Sequence, residues 1–109
     1  MSAKHVELLV VDGCPNVDAT LDRVRTAIGE TGIGASVQIV PIENDDQAKH
    51  LKFLGSPTVR IDGVDVDPSA ASRDDYGLQC RVYNVRGRLE GAPPMAWILS
   101  ALGVIGKRT

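Results

Sequence analysis

The chain has 109 residues, of which 43% are hydrophobic and 24% are charged, and its formal net charge is -2. This length predicts a single domain, residues 1–109, that can bury a core without disulfide or metal crosslinks. A nearly balanced charge gives no electrostatic reason to expect binding to nucleic acid or to an acidic membrane surface. We therefore expect neither a nucleic-acid partner nor a membrane partner.

The N-terminal stretch "MSAKHVELLVVDG" lacks the features of a signal peptide, because its apolar part is short and is followed by no small-residue cleavage site. No segment approaches the roughly 20 apolar residues that a membrane span requires. The expected location is therefore the cytoplasm. In that compartment Cys14 and Cys80 are expected to be thiols or a transient pair rather than a structural disulfide.

The first half of the chain predicts a strand, a helix and a second strand. The nearly continuous apolar run His5–Val11 is followed by Asp-Gly, which favours a central strand covered on both faces. From Asn16 onward the apolar residues recur at helical spacing, which predicts an amphipathic helix: Val17, Leu21, Val24 and Ile28. The stretch "TGIGAS" predicts the exit loop of that helix, and "ASVQIVPI" predicts the second strand.

A second helix and a hairpin come next. Asn44 or Asp45 is expected to cap the helix, and Gly55 is expected to stop it. The predicted buried side of this helix consists of Ala48, Leu51 and Leu54. Asp62-Gly63 lies between alternating apolar residues and predicts a two-residue type I′ turn, since Asp and Gly both tolerate a positive φ.

The last third of the chain predicts a loop, a short strand and a final helix. Residues 67–79 are polar and small and have no period, so they predict a loop long enough to suggest function or mobility. The stretch "CRVYNV" predicts a strand, and "GRLEGAPP" predicts a turn region. Pro93-Pro94 then begins a helix, whose predicted apolar side consists of Met95, Ile98, Leu99 and Leu102.

The predicted element order is therefore β-α-β-α-β-β-α, an α/β fold with a mixed sheet. Its first crossover is expected to be parallel and right-handed, and the hairpin is expected to add antiparallel strands.

Cys14 follows the first predicted strand and is expected at the N-cap or in the first turn of the first helix, with Pro15 at position N1. Free backbone N–H groups and the helix dipole would there stabilise a thiolate and lower the thiol pKa from about 8.5 toward roughly 3.5–7.5. The thiolate is the nucleophile in thiol–disulfide exchange. A small buried hydrophobic residue at a tight turn is the alternative interpretation, and position alone leaves both open.

A strand, a Cys-Pro-x-x stretch that opens a helix, and a later "SPTV" that enters a hairpin together resemble the thioredoxin-fold superfamily, over residues 5–66. The resemblance implies a thioredoxin-like three-layer sandwich. It also implies a cis proline before the third strand, with a backbone that faces the active cysteine and pairs with substrate. The residues that would bind substrate are then Pro15, Ser56, Pro57 and Thr58. More loosely, "GSPTVRIDGVDV", "LQCRVY" and "GAPP" resemble bacterial thioredoxin-like proteins, some of them labelled organomercurial-lyase-like.

The chain departs from thioredoxins at Val17, where that family has the second cysteine that releases substrate. The resolving thiol would then be Cys80, glutathione or another small thiol. If the strand at residues 64–66 returns toward Cys14, the loop 67–79 could deliver Cys80 there. Otherwise Cys80 is expected to pack into the sheet.

The sequence thus predicts a thiol-redox protein, a monothiol thioredoxin- or glutaredoxin-like oxidoreductase, with Cys14 and Cys80 as candidate catalytic residues. Its expected partner is a protein or small-molecule thiol or disulfide, and no cofactor is expected beyond glutathione or another small thiol as co-substrate. His5 and His50 lie in no metal-ligand spacing with the cysteines. A non-enzymatic binding domain, or thiolate binding of mercury or another soft metal, remain the alternative hypotheses.

Overall fold

The computed structural model describes residues 4–103, which form a mixed α/β fold. Three helices and six strands lie along this part of the chain. They are β1 (Lys4–Val10), α1 (Val17–Thr31), β2 (Ala35–Pro41), α2 (Asp45–His50), β3 (Thr58–Ile61), β4 (Val64–Asp65), β5 (Tyr83–Val85), β6 (Arg88–Glu90) and α3 (Met95–Ala101), with a short 3₁₀ turn at Ala70–Ser72. The predicted order is confirmed through β4 and again at α3. β5 lies within the predicted strand "CRVYNV", and β6 is additional.

The main sheet has four strands in the order β2-β1-β3-β4. β1 pairs parallel with β2 and antiparallel with β3, so that Leu8 lies between Ile39 and Val59. β3 pairs antiparallel with β4. The prediction of a mixed sheet, with a parallel first crossover and an added antiparallel hairpin, is confirmed.

The two faces of the central strand β1 belong to two separate hydrophobic clusters. Successive side chains of a strand point to opposite faces, and Leu8 accordingly packs with Val24 of α1 and Ile98 of α3. Leu9 packs on the other face, with Ala48 of α2 and the nearby Phe53. Helices α1 and α3 therefore cover one face of the sheet, and α2 covers the other. None of the helices described between residues 4 and 103 has the length and apolar character needed to cross a bilayer.

Helix α2 starts where the sequence predicts and stops earlier. Asn44 is its N-cap, and its Oδ1 accepts a hydrogen bond of 2.7 Å from the Gln47 N–H, which satisfies a donor that the first helical turn leaves free. The helix ends at His50, which is exposed, and Lys52 takes a φ of 56°. Leu54 is buried as expected, although it lies beyond the helix rather than in it.

The Asp62-Gly63 turn between β3 and β4 has the predicted geometry. Asp62 has a φ of 53° and Gly63 a φ of 83°, the two positive values that a type I′ turn requires. The Asp62 carboxylate also accepts a 2.9 Å hydrogen bond from the His5 N–H at the start of β1. This hydrogen bond therefore joins the turn to the central strand β1.

The stretch "GRLEGAPP", predicted as a turn region, contains strand β6, and this prediction is wrong in that part. Arg86 and Gly87 form the connection to β5 with φ values of 55° and 84°, the same pair of positive values as at Asp62-Gly63. Arginine rarely adopts a positive φ, so Arg86 carries no turn signal in the sequence. The Asn84 side chain supports the turn by accepting a 2.9 Å hydrogen bond from the Gly87 N–H.

Candidate functional site

Cys14 lies in a tight turn at the end of β1, ahead of helix α1. Its N–H donates to the Val11 carbonyl at 3.3 Å, and Gly13 has a φ of 80°, which makes Val11–Cys14 a type II turn. The N-cap of α1 is Asn16 and its first residue is Val17. The predictions that Cys14 lies at the N-cap or in the first turn, and that Pro15 occupies N1, are therefore wrong. The turn takes up residues 11–14 before the chain can enter the helix, so the first-turn N–H groups lie beyond Cys14.

Cys14 and Cys80 line the same open pocket, which has a volume of about 920 Å³. Cys14 is half-buried and Cys80 is exposed, and within residues 4–103 both are free thiols. The remaining wall comes from the ends of β1 and β2, the start of α1 and the segment before Cys80: Val10, Val11, Asp12, Gly13, Val17, Pro41, Ile42, Glu43, Leu78 and Gln79. The expectation that Cys80 packs into the sheet is wrong, and the structure instead brings the two cysteines to one pocket.

Cys80 reaches this pocket on a short segment, residues 78–81, that we call the strap. The strap pairs with Ser56, the residue before Pro57, in a parallel β-bridge between Ser56 and Cys80. The Ser56 N–H donates to the Gln79 carbonyl at 2.8 Å, and the Arg81 N–H donates to the Ser56 carbonyl at 2.9 Å. Both backbone hydrogen-bonding groups of Ser56 are therefore engaged by the chain itself.

Side-chain hydrogen bonds hold the strap in place. Asp45, at the start of α2, accepts a 3.1 Å hydrogen bond from the Leu78 N–H. The Gln79 side-chain amide donates to the carbonyls of Leu54 and Asp75, at 3.0 and 2.6 Å. The position of Cys80 thus depends on contacts from α2 and from the chain that follows it.

Arg81 anchors the C-terminal end of the strap in the interior. It is 2% exposed, and its guanidinium donates to the Asp65 carboxylate at 2.7 and 3.1 Å and to Asp67 at 3.3 Å. It also lies 4.5 Å from the centre of the Tyr83 ring, a cation–π arrangement. Burial lowers the pKa of Arg81, but the Asp65 hydrogen bond and the neighbouring charges outweigh burial and raise that pKa. The guanidinium is therefore a permanent cation between two carboxylates.

The segment that pairs with the strap is buried, at Ser56, Pro57 and Thr58. The Ser56–Pro57 peptide bond is cis, the configuration that the resemblance implies. The Ser56 hydroxyl accepts a 3.0 Å hydrogen bond from the Val11 N–H, which ties this segment to the turn that carries Cys14. The Thr58 hydroxyl donates to the Gly55 carbonyl at 2.6 Å and accepts from Arg81 at 2.9 Å.

Tyr83 also contacts the segment around Pro57. Its hydroxyl donates to the Pro57 carbonyl, and its ring meets Trp97 of α3 edge to face, with centroids 6.2 Å apart. Burial raises the pKa of Tyr83, so the hydroxyl keeps the proton that it donates. Three of the residues predicted to bind substrate are thus already engaged within the chain. The strap pairs with the backbone of Ser56, Tyr83 donates to the Pro57 carbonyl, and Arg81 donates to the Thr58 hydroxyl. Pro15 is exposed beside Cys14.

Two carboxylates that the sequence analysis did not single out line the pocket, those of Asp12 and Glu43. Both side chains are exposed at the rim. Asp12 follows β1 and Glu43 follows β2, two parallel neighbours whose carboxyl ends meet at one edge of the sheet. Because sites in such sheets lie beyond the carboxyl ends of the strands, this position was the signal that could have identified both residues.

Within residues 4–103 no three His, Cys, Asp or Glu side chains come together as a metal site. His5 shares a 3.0 Å hydrogen bond with the Ser36 hydroxyl, and His50 ends α2 on an exposed surface. Both histidines lie away from the residues that line the Cys14–Cys80 pocket. The chemistry available in this pocket is therefore that of two thiols and two carboxylates.

Comparison with known proteins adds no relative, since no family model, no curated protein and no solved structure matches this chain.

Proposed function

We propose that this protein is a thioredoxin-like thiol–disulfide oxidoreductase of the reducing cytoplasm, in which Cys14 is the nucleophile and Cys80 is the resolving thiol. The observation that carries the proposal is the shared pocket, which Cys14 lines from the end of β1 and Cys80 lines from the strap. A resolving thiol must reach the nucleophilic sulfur. Cys80 would supply the resolving thiol, because position 17, where thioredoxins have their second cysteine, is a valine.

The thioredoxin-like sandwich is part of this proposal. A mixed four-stranded sheet, α1 and α3 on one face with α2 on the other, and a proline directly before β3 all support it. The strap and the β5–β6 hairpin are departures from the expected element order. The strap changes the site itself, because it brings in the second thiol from a part of the chain beyond the resemblance.

The proposed reaction has two exchange steps. The Cys14 thiolate attacks one sulfur of a disulfide, forms a mixed disulfide and releases the other half as a thiolate, which takes up a proton. The Cys80 thiolate then attacks the Cys14 sulfur, releases the second half and leaves a Cys14–Cys80 disulfide. The substrate disulfide is reduced by two electrons and the protein is oxidised by two. Two molecules of a small thiol such as glutathione would return the protein to its dithiol form and leave as a disulfide.

The test is to mix reduced protein with a small neutral disulfide and to follow the products by intact-protein mass spectrometry. We expect the wild type to pass through a mixed disulfide to an intramolecular disulfide, and Cys80→Ser to stop at the mixed disulfide on Cys14. Cys14→Ser should lose the fast reaction, because it keeps only the resolving thiol. Undiminished reaction of Cys14→Ser would contradict the assignment of the nucleophile. Complete turnover by Cys80→Ser at the wild-type rate would contradict the assignment of the resolving thiol.

Binding of a soft metal ion is a second candidate function that the same pocket favours. Thiolate ligands select soft ions, and the two cysteines of this chain line one pocket. A competitive titration with mercury(II) against a small dithiol measures the affinity. If both cysteines bind the ion, Cys14→Ser and Cys80→Ser should each weaken the complex by at least about tenfold, whereas equal affinity in either variant rules this candidate out.

The non-enzymatic binding domain has less support from the site. That hypothesis used the groove beside Pro57, or the apolar surface of "GAPPMAW", to hold a partner. Pro57 is buried, however, and its carbonyl already accepts a hydrogen bond from Tyr83. A partner would have to displace the strap before it reached this groove.

A further inference from the structure

We propose that the substrate of the Cys14–Cys80 pocket is a low-mass disulfide with positively charged ends, an alkylamine disulfide, rather than a protein disulfide or an anionic one. This inference rests on the proposed function and adds the substrate class. Three features of the pocket support it: its size together with the engaged backbone of β1 and Ser56, the sign of its charge, and its apolar wall.

The backbone at the end of β1 and at Ser56 offers an extended peptide little to pair with. Peptides that bind beside a strand gain affinity from main-chain hydrogen bonds to its free edge. Here the Val10 carbonyl accepts from the Ile42 N–H at 2.8 Å, and the Val11 carbonyl accepts from Cys14 at 3.3 Å. The Val11 N–H donates to Ser56, and both backbone groups of Ser56 are engaged by the strap. A peptide that paired with these groups would have to break these bonds, whereas a small molecule would not.

The pocket volume suits a small molecule. At about 920 Å³ it lies within the range of roughly 300–1,000 Å³ that is typical of small-molecule sites. Cys14 and Cys80 both line this space, so a compact disulfide inside it can meet the nucleophile without any movement of the strap.

The ionisable groups that line the pocket are all acidic. Besides the two cysteines they belong to Asp12 and Glu43, and no Lys, Arg or His occurs among the lining residues, all of which belong to the described chain. Asp45 lies beside the same wall, where it accepts from the Leu78 N–H. Formation of the Cys14 thiolate adds a further negative charge. A cationic disulfide is therefore attracted and an anionic disulfide repelled, which changes the local substrate concentration and the rate of attack.

Most of the remaining wall is apolar. Val10, Val17, Ile42 and Leu78 contribute aliphatic surface to the pocket. Such a wall suits the methylene groups that separate a sulfur atom from a terminal amine, and the carboxylates at the rim suit the amine itself. Short alkylamine arms match both parts of the pocket.

The experiment measures the rate at which Cys14 forms a mixed disulfide in the Cys80→Ser protein, and it compares three probes. The probes are the dication cystamine, the neutral bis(2-hydroxyethyl) disulfide and the dianion 3,3′-dithiodipropionate. Each rate is divided by the rate of the same probe with 2-mercaptoethanol at the same pH, which removes the intrinsic reactivity of the probe. We expect normalised rates to fall from dication to dianion, by about tenfold or more at low salt. The spread should narrow as ionic strength rises, because exposed charges are screened.

Two variants test the origin of the preference. Asp12→Asn combined with Glu43→Gln should bring the three normalised rates close together. The matched control, Asp22→Asn, removes an exposed acid of α1 that is not among the lining residues, and it should keep the wild-type spread. An unchanged spread in the double variant would overturn the role of the two carboxylates.

The remaining outcomes separate this inference from the proposed function. If Cys14 reacts with none of the probes and with no protein disulfide, the proposed function fails. If Cys14 reacts but shows equal normalised rates or favours the dianion, the substrate class is wrong while the redox function stands. The same conclusion follows if insulin, a protein disulfide, is reduced faster than all three low-mass probes.

Discussion

The close approach of the strap to the main fold depends on a single residue, Gly55. Its φ is 129°, a conformation that side chains rarely adopt, and an added Cβ would lie 3.0 Å from the Arg81 Cβ and 3.1 Å from the Arg81 Cα. These contacts are tighter than nine in ten real Cβ contacts, and two of the three nearest atoms belong to the Arg81 backbone. Only glycine therefore lets the strap lie against the segment before Pro57.

Replacement of Gly55 by alanine should lower the free energy of unfolding by about 2–4 kcal/mol, since strain at positive φ and overpacking against Arg81 add together. Urea denaturation of the two proteins measures the difference. The control is Gly34→Ala, where an added Cβ meets no described atom within 4 Å and φ is not in the strained range. Equal effects of the two substitutions would show that the close approach at Gly55 does not matter.

Other residues in the site had no distinctive local signal. Asp12 and Glu43 are ordinary exposed acids in the sequence, and they become pocket residues only because β1 and β2 end side by side. The sequence indicates Cys14 by its place after a strand, but it does not show how far Cys14 lies from the start of the helix. The Val11–Cys14 turn and the N-cap at Asn16 displace it from the first helical turn.

At the scale of elements, the β3–β4 hairpin follows its local sequence closely. Asp62 and Gly63 take the two positive φ values that their residue types predict. Asp62 also makes contacts that no local pattern reveals, because its carboxylate accepts from the His5 N–H and lies 3.3 Å from the Lys4 ammonium. These contacts join the turn to the first strand of the sheet.

The Asp62 contacts predict a pH dependence of stability. The hydrogen bond from the His5 N–H lowers the pKa of the Asp62 carboxyl below its ordinary value, with Lys4 acting in the same direction. Because the folded pKa lies below the unfolded one, the stabilisation is present above the unfolded pKa of about 3.9 and is lost as pH falls through the folded pKa.

Asp62→Asn keeps a residue suited to the turn and removes the titrating group. We expect its unfolding temperature to fall less steeply than that of the wild type as the pH is lowered from about 5 to about 2. Thermal unfolding followed by circular dichroism at a series of pH values checks this. Parallel curves for the two proteins would contradict the contribution of the Asp62 carboxylate.

At the scale of the whole molecule, Arg81 joins parts of the fold that lie far apart in sequence. The guanidinium contacts Thr58 in β3, 23 residues away, and Asp65 in β4, 16 residues away. It stacks on Tyr83, which in turn meets Trp97 of α3. One buried cation therefore connects the main sheet, the strap and the last helix.

Arg81→Met should destabilise the protein by about 3–5 kcal/mol, because it leaves the buried Asp67 and the half-buried Asp65 without their cation. Urea denaturation measures this effect. Arg25→Met, which changes an exposed arginine of α1, provides the control and should change stability by less than about 0.5 kcal/mol. A similarly small effect at Arg81 would mean that the cluster does not stabilise the fold.

The amino-acid sequence by itself determined the features that depend on neighbouring residues. Strand and helix periodicity predicted the order of the elements through β4, the side chain of Asn44 predicted a helix cap, and Asp62-Gly63 predicted a tight turn. Each of these follows from backbone preferences and hydrogen bonds that act over a few positions along the chain.

Tertiary structure alone decided where residues 67–90 run. The β5–β6 turn uses Arg86, whose residue type does not favour it, and the pairing of Cys80 with Ser56 joins distant parts of the chain. That pairing requires the absence of a side chain at Gly55 and the burial of Arg81 between two carboxylates. A local pattern does not report such contacts, because their energy comes from desolvated charges and close packing that exist only once the sheet has formed.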